Sequence, residues 1–301
     1  MLRNIELVVD AKANLGEGPC WDEKKQLLYW VDIIEKKLWL YNPVKKTNRA
    51  ITLDQQIGCV VPYTNDEVLV AMEQGFYSLN LDTKILSHIY DPEPDLLENR
   101  FNDGKCDPAG RFWAGTTDLY GINAAGSLYC LNNNFINVDK KVAHVNTSNG
   151  IAWSPDHTFL YFIDTPTKKV VRFDYDIHTG EIRNPCDVII FPENDCLPDG
   201  MTIDEEGCLW IAHWGGSKVT KWNPLTGERI LSIPIPALYV TSCTFGGPNL
   251  TDLYITTART RMTDEELKQY PHAGGIFRIQ TNVKGCPTYS FRYENIGAET
   301  Q

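Results

Sequence analysis

Short apolar runs separated by polar turns fill the chain, and six of them share one shape. They are LYWVD from Leu28, LVAME from Leu69, FWAGT from Phe112, LYFID from Leu160, LWIAH from Leu209 and LYITT from Leu253. Their spacing of 41 to 49 residues lies inside or close to the period of repeats built from four strands. A second strand-like run follows each: KLWLYNP, GFYSLNL, GSLYCLN, KVVRFDY, KVTKWNP and GIFRIQT. Several then reach a turn of the NP or DYDIHTGE type, and another apolar run such as AITL, ILSHIY, KVAHV, DVIIF or ILSIPI comes next. A short strand also precedes each shared segment, for example GIAWSPD or GMTIDEE, and ends in a tight polar turn.

Each unit therefore predicts four short antiparallel strands. Six such sheets set radially make an all-β, six-bladed β-propeller, in one domain spanning residues 1–301. A sandwich gives no reason for a sixfold repeat, and a β-helix would have much shorter rungs. IELVVDA near the start is expected to pair with TYSFRYEN near the end, joining the termini in the closing blade. Helix is nearly absent, with TDEELKQY as the one short candidate.

Composition narrows the function classes. With 43% hydrophobic, 11% aromatic and 22% charged residues, the chain can bury a large core. A formal net charge of -11, with no basic run longer than EKK or VKK, argues against a nucleic-acid partner. No stretch approaches the ~18 uninterrupted apolar residues of a membrane span, and MLRNIELVVDAKANLGEG lacks the apolar core of a signal peptide. The nine cysteines include no C-x-x-C pair and read as reduced thiols, not as a zinc-thiolate site. Only Cys186 and Cys196 lie near enough in sequence to suggest a loop disulfide. A cytoplasmic location without a membrane partner is the resulting expectation.

Aligning the units brings one position into register just before the innermost strand. It is Glu17 in LGEGPCW, Asp103 in FNDGKCD, Asn149 in TSNGIAW and Asp199 in LPDGMTI, each followed by glycine. In the second unit the position falls on Gly58, and in the sixth on Thr241 or Ser242. Locally, Pro198 and Gly200 read as turn residues around Asp199. In a propeller, however, equivalent positions of the innermost strands form a ring around the axis, so these oxygen-bearing side chains converge. Carboxylates that close repel one another unless protonated or bound to a cation. Asp, Glu and Asn oxygens suit one hard divalent ion such as calcium, magnesium or manganese, and a permissive set also accepts zinc or ferrous iron. His88, His144, His157, His178 and His272 sit in outer-strand or loop contexts, and His213 in IAHWGG reads as structural. There is no G-x-S-x-G elbow and no P-loop.

The segments LGEGPCWD, NRFNDGKCDPAGRFWAGT, SNGIAWSPD, LYFIDT, PDGMTIDEEGCLWIA and VTSCTFGGPNLTDLYITTA are spread over nearly the whole chain. In that order they resemble the SMP-30/gluconolactonase/regucalcin-like propellers, which include sugar lactonases and the insect luciferin-regenerating enzymes. The resemblance implies metal-dependent hydrolysis of a sugar (aldono-)lactone to its aldonic acid. It places the metal ligands on Glu17, Asn149 and Asp199, and substrate contacts on Arg100 and Asn102, with Asp103 beside them. The family's lactonases also use an acidic contact in the loop after AGT; here that loop reads TTDLYGINAAGS, with Tyr120 or Asp118 in the region.

Asp199 is then expected to hold the metal with one oxygen and to take a proton from water with the other. A calcium-binding regulatory protein without turnover would use the same ring. Arg100 and Asn102 favour catalysis, since a calcium buffer has no need of an arginine at the ion's mouth. A scaffold propeller fits less well, because the acids face the axis and the rim shows no aromatic patch.

Overall fold

The shared segment of the first unit forms the strand Leu27–Asp32, and its alternate residues are buried on opposite sides. Tyr29 and Val31 join one apolar cluster, Leu28 and Trp30 another. A strand covered on both faces has no polar side, which is why the run is continuously apolar instead of alternating. The division recurs in Leu209–Trp214, where Leu209 and Ile211 face one neighbour and Trp210 and Ala212 the other.

The computed structural model, which describes residues 5–120 and 123–294, extends this pattern to six four-stranded antiparallel sheets in a ring, a six-bladed β-propeller. The core is split into six wedges, one between each pair of adjacent blades. Trp21, Trp30, Trp113 and Trp210 are no more than 1% exposed in these wedges, and burial contributes roughly 1.5–3 kcal/mol per large apolar side chain.

The inner strands of blades one to six are Gly16–Asp22, Ile57–Pro62, Asn99–Cys106, Ser148–Trp153, Leu197–Ile203 and Tyr239–Gly246. An aspartate at or just past the lower end of three of them ties the turn to the next strand. Asp107 accepts from Arg111 N and Trp113 Nε1, both at 2.9 Å. Asp204 accepts from Cys208 N and Trp210 Nε1, again both at 2.9 Å. Asp22 does the same with Lys24 N and the Tyr29 hydroxyl. One carboxylate thus satisfies both the turn's backbone and the buried donor of an otherwise apolar ring.

The N-terminal strand Glu6–Val9 closes the ring, but not against the partner expected from sequence. It pairs antiparallel with Ile276–Gln280, and Arg278 Nη2 meets Glu6 Oε2 at 2.7 Å. The described part of TYSFRYEN forms no strand. Its neighbourhood instead crosses the lower face and meets a turn or strand end of every blade. Cys286 N donates to Ile203 O, Gly285 N to Leu250 O, Thr288 N to Glu23 Oε1, Phe291 N to Pro62 O and Arg292 N to Gly110 O. Tyr289 reaches His157 of the fourth blade through its hydroxyl, at 2.9 Å. Bonds scattered over six different blades cannot make a ladder, whereas GIFRIQT pairs along Asp252–Ala258 of the sixth sheet and offers Glu6–Val9 its other edge.

The short helix is Asp264–Gln269, held by a capping box between Thr263 and Glu266. All nine cysteines are free, so the Cys186–Cys196 disulfide does not form. Cys186 is exposed on the outer strand Ile182–Ile190, while Cys196 Sγ lies 3.2 Å from His213 Nδ1. Among the described residues, no helix is long and apolar enough to cross a membrane.

Candidate metal centre

Every inner strand loses register with its neighbour at a similar level. The shifts lie between Glu17 and Cys20, Ile57 and Cys59, Phe101 and Gly104, Ser148 and Ile151, Pro198 and Met201, and Val240 and Ser242. A bulge re-aims side chains that regular pairing would direct elsewhere. Asn102, Asn149 and Asp199 each follow the last paired residue, so Asn102, not Asp103, is level with Asn149 and Asp199. Asp103 lies one residue further down, and Glu17 is itself paired with Val31. Aligning on the following glycine misplaces these residues because that glycine answers to a different constraint.

The constraint is close approach between blades. Gly200 lies inside the strand Leu197–Ile203, and a Cβ there would sit 2.0 Å from Ser242 Oγ of the next blade. Pro198 and Gly200 are therefore strand residues and not the turn that the local sequence suggests. At Gly58 a Cβ would fall 2.5 Å from the backbone of Phe101 and Asn102, so the second blade has no room for a side chain at the ring. In the sixth blade Thr241, not Ser242, occupies the register shift, and its hydroxyl donates to Gly16 O at 2.6 Å. It stitches the sixth blade to the first.

Glu17, Asp103, Asn149 and Asp199 are all buried, at 6%, 4%, 5% and 4% exposure. Burial, and then the Glu17 and Asp103 charges, push the Asp199 carboxyl well above the usual carboxylate range. Burial and Asp103 push Glu17 up to about 8, against the Gly18 N–H and the Arg100 and Lys105 charges. Asp103 is raised by burial, opposed by Lys105 and the Gly104 N–H. Such a cluster is uncomfortable as three anions. Its hydrogen bonds oppose this only in part: Glu17 Oε2 accepts from Gly18 N at 2.9 Å, Asp103 Oδ1 from Gly104 N at 2.8 Å, and Asp199 from the Asn149 side chain and the Gly200 N–H, while Asp103 Oδ2 is buried without a partner.

Asn149 is oriented from outside the ring. Its Nδ2 donates to Thr165 Oγ1 at 3.0 Å, and Thr165 donates to Pro198 O at 2.9 Å. This leaves Asn149 Oδ1 buried with no hydrogen-bond partner. An unpaired carbonyl oxygen beside crowded carboxylates is an acceptor-only set, and that is what a hard divalent cation takes. The buried thiols of Cys20, Cys59 and Cys243 are held protonated by burial, so they offer no competing soft ligands. The ring residues therefore fit such an ion. A second acidic group, Asp204, Glu206 and Cys208, does not: the Asp204 oxygens already accept from two backbone N–H groups, Trp210 Nε1 and Lys221 Nζ.

The residues proposed to meet substrate are placed unequally. Arg100 Nη1 donates to Asn102 Oδ1 at 2.7 Å and to Phe101 O at 2.9 Å, and Asn102 Nδ2 donates to Ser148 O at 2.8 Å. Burial lowers the Arg100 guanidinium to about 10, with Glu17 and Glu73 opposing. Tyr120 is 67% exposed, and its backbone N–H caps Asp118 Oδ1 at 2.8 Å. Asp118 is buried in the same loop.

Two residues near the ring escaped the sequence reading. Thr165 is embedded in LYFIDT, where its hydroxyl looks like a turn former. Lys105, in FNDGKCD, reaches across the channel to Met201 O. Below Lys105 lies a cavity of about 50 Å³ floored by Pro287, Thr288 and Tyr289. The crossing segment thus closes the lower end of the channel.

The model of the "SMP-30/Gluconolactonase/LRE-like region" matches residues 15–259. The chain is 45% identical over 286 residues to "Putative sugar lactone lactonase YvrE" of Bacillus subtilis, covering 95% of this chain and 97% of that one. It is 38% identical over 293 residues to regucalcin of Oryctolagus cuniculus, covering 95% and 98%. Among solved structures, a calcium-binding regucalcin of Agrobacterium tumefaciens superposes with a TM-score of 0.91 at 28% identity, covering 95% and 96%. With the profile spanning most of the propeller and relatives this similar end to end, the chain belongs to the SMP-30/gluconolactonase/LRE-like family.

Proposed function

We propose that the chain hydrolyses the lactone of a sugar acid at the axial ring, with one divalent cation held by Glu17, Asn149 and Asp199. The observation that carries this reading is the buried, partnerless Asn149 Oδ1 set among carboxylates that repel one another. When bound, the cation supplies Lewis acidity toward the lactone carbonyl. Asp199 takes a proton from the attacking water at a carboxylate oxygen. Water oxygen adds to the acyl carbon, the ring C–O bond breaks, and the departing alkoxide recovers a proton, giving the open hydroxy acid. Arg100 uses Nη1 to hold Asn102, which directs its remaining N–H groups to the sugar hydroxyls and the developing oxyanion. Because the lower end of the channel is closed, substrate approaches from the end where the inner strands begin.

The regucalcin relatives support a second reading, a calcium-binding regulatory protein without significant turnover. The two separate on one assay. Five- and six-membered sugar lactones are followed by acid release, with chelator and with cation restored. Turnover that chelator abolishes and cation restores supports the enzyme; no lactone opened above background by cation-loaded protein leaves only the binding role.

A further inference from the structure

The carboxylate ring already has a cation beneath it. Lys105 lies on the inner strand Asn99–Cys106, two residues past Asp103, and its ammonium donates to Met201 O of the fifth blade. Around it the channel is lined by uncharged groups, among them Cys20, Ile151, Thr202 and Thr244. A neutral donor such as glutamine could serve the Met201 carbonyl alone. Lys105 is half-buried on this strand, and even partial desolvation of an ammonium costs free energy that nearby anions offset. The carboxyls it lies nearest are those of Asp103, two residues back on the same strand, and of Glu17, both of which its charge draws toward the ionised form.

We infer that Lys105 is the built-in counter-cation of the axial ring: pinned on Met201 O, its ammonium balances the carboxylates of the metal-free protein and opposes entry of further positive charge. Lys105 is thus a positioning residue, acting through Asp103 and Glu17 without touching substrate. The second effect rests on the proposed cation site, whereas the first concerns the chain alone.

The test compares wild type with Lys105→Met, Lys105→Arg, Asp103→Asn and the Asp103→Asn/Lys105→Met double variant, melted in chelator and titrated with calcium by calorimetry. In chelator, Lys105→Met melts several degrees below wild type, Lys105→Arg melts near it, and adding Asp103→Asn recovers most of the loss. Calcium binds Lys105→Met on the order of tenfold more tightly, as expected for removing one nearby positive charge. A chelated Lys105→Met that melts with wild type overturns the inference. So does a double variant no more stable than Lys105→Met, since the lysine would then serve only the Met201 hydrogen bond. If Lys105→Met does not fold, recovery of folding by Asp103→Asn becomes the deciding measurement. Calcium that gives no heat with any of these proteins counts against the proposed cation site, while the chelated melts still decide the role of Lys105.

Discussion

Asp107 and Asp199 are the same residue type, buried to 0% and 4% exposure, yet replacing each by asparagine should move stability in opposite directions. Asp107 is surrounded by donors: Arg111 N at 2.9 Å, Arg111 Nε at 2.7 Å, Trp113 Nε1 at 2.9 Å and the Tyr175 hydroxyl at 2.8 Å. Asp107→Asn turns an amide NH₂ toward some of these donors and strips Arg111 of its counter-ion. Breaking a buried pair costs about 3–5 kcal/mol. Carbonyl bonds from Arg111 to Ile177 and His178 survive, which favours the lower end. Asp199 is surrounded by Glu17 and Asp103, so Asp199→Asn removes a repelled, desolvated charge. A pKa unit is worth about 1.4 kcal/mol, so relieving the burial of this charge and the repulsion around it should raise stability in chelator by on the order of 1 kcal/mol or more.

Urea unfolding in chelator, read as midpoint shifts at constant slope, measures both variants. Adding cation then reverses the order for the ring: wild type gains about 2.7 kcal/mol at a hundredfold excess over Kd, and Asp199→Asn does not. If Asp199→Asn in chelator loses as much as Asp107→Asn, the ring carboxylates are not under mutual repulsion, and the electrostatic argument for the site fails.

Other substitutions probe separate links. Asn149→Ala should weaken calcium binding at least about tenfold by calorimetry, since Oδ1 has no protein partner, while lowering stability in chelator by only about 1 kcal/mol for the lost Nδ2 bond to Thr165. Arg100→Ala should raise KM for a lactone while leaving cation affinity near wild type; an equal loss of cation binding would show that Arg100 supports the ring itself. His213 is buried with Nε2 2.6 Å from Thr220 Oγ1, and burial, then the Lys218 charge, lowers it to about 3. The unfolded chain takes up this proton near pH 6.5 and the folded one does not. Stability is therefore full above that pH and declines as pH falls toward 3, by up to about 1.4 kcal/mol per unit. The difference in urea midpoint between wild type and His213→Asn from pH 7 to 4 should show that slope, because the ring carboxyls contribute equally to both proteins.

Much of the fold is legible because its signals are local. The run LLYWV states its own burial on two faces, and the recurrence of that run states the number of blades. Residue type likewise exposes the chemistry of the ring, since Glu17, Asn149 and Asp199 offer oxygen ligands before any geometry is known. What local pattern cannot show is how blades meet. Thr241 donates to Gly16 across 225 residues, and nothing near either residue announces it. TYSFRYEN has the composition of a strand, yet it crosses the lower face because the edge it was expected to occupy is taken by Ile276–Gln280. A glycine after each ring residue looks like turn chemistry, whereas Gly150 and Gly200 are there to let neighbouring inner strands touch.

The sequence by itself therefore determined the repeat, the strands and the oxygen-bearing side chains at the axis, all of which follow from periodicity and side-chain chemistry. Only the tertiary structure decided that Asn102 and not Asp103 is level with Asn149 and Asp199, that Thr165 frees the Asn149 oxygen, and that Lys105 lies beneath the ring. The reason is physical: bulge register and charge balance are set by atoms brought together from different blades, and a residue's own neighbours in sequence do not carry that information.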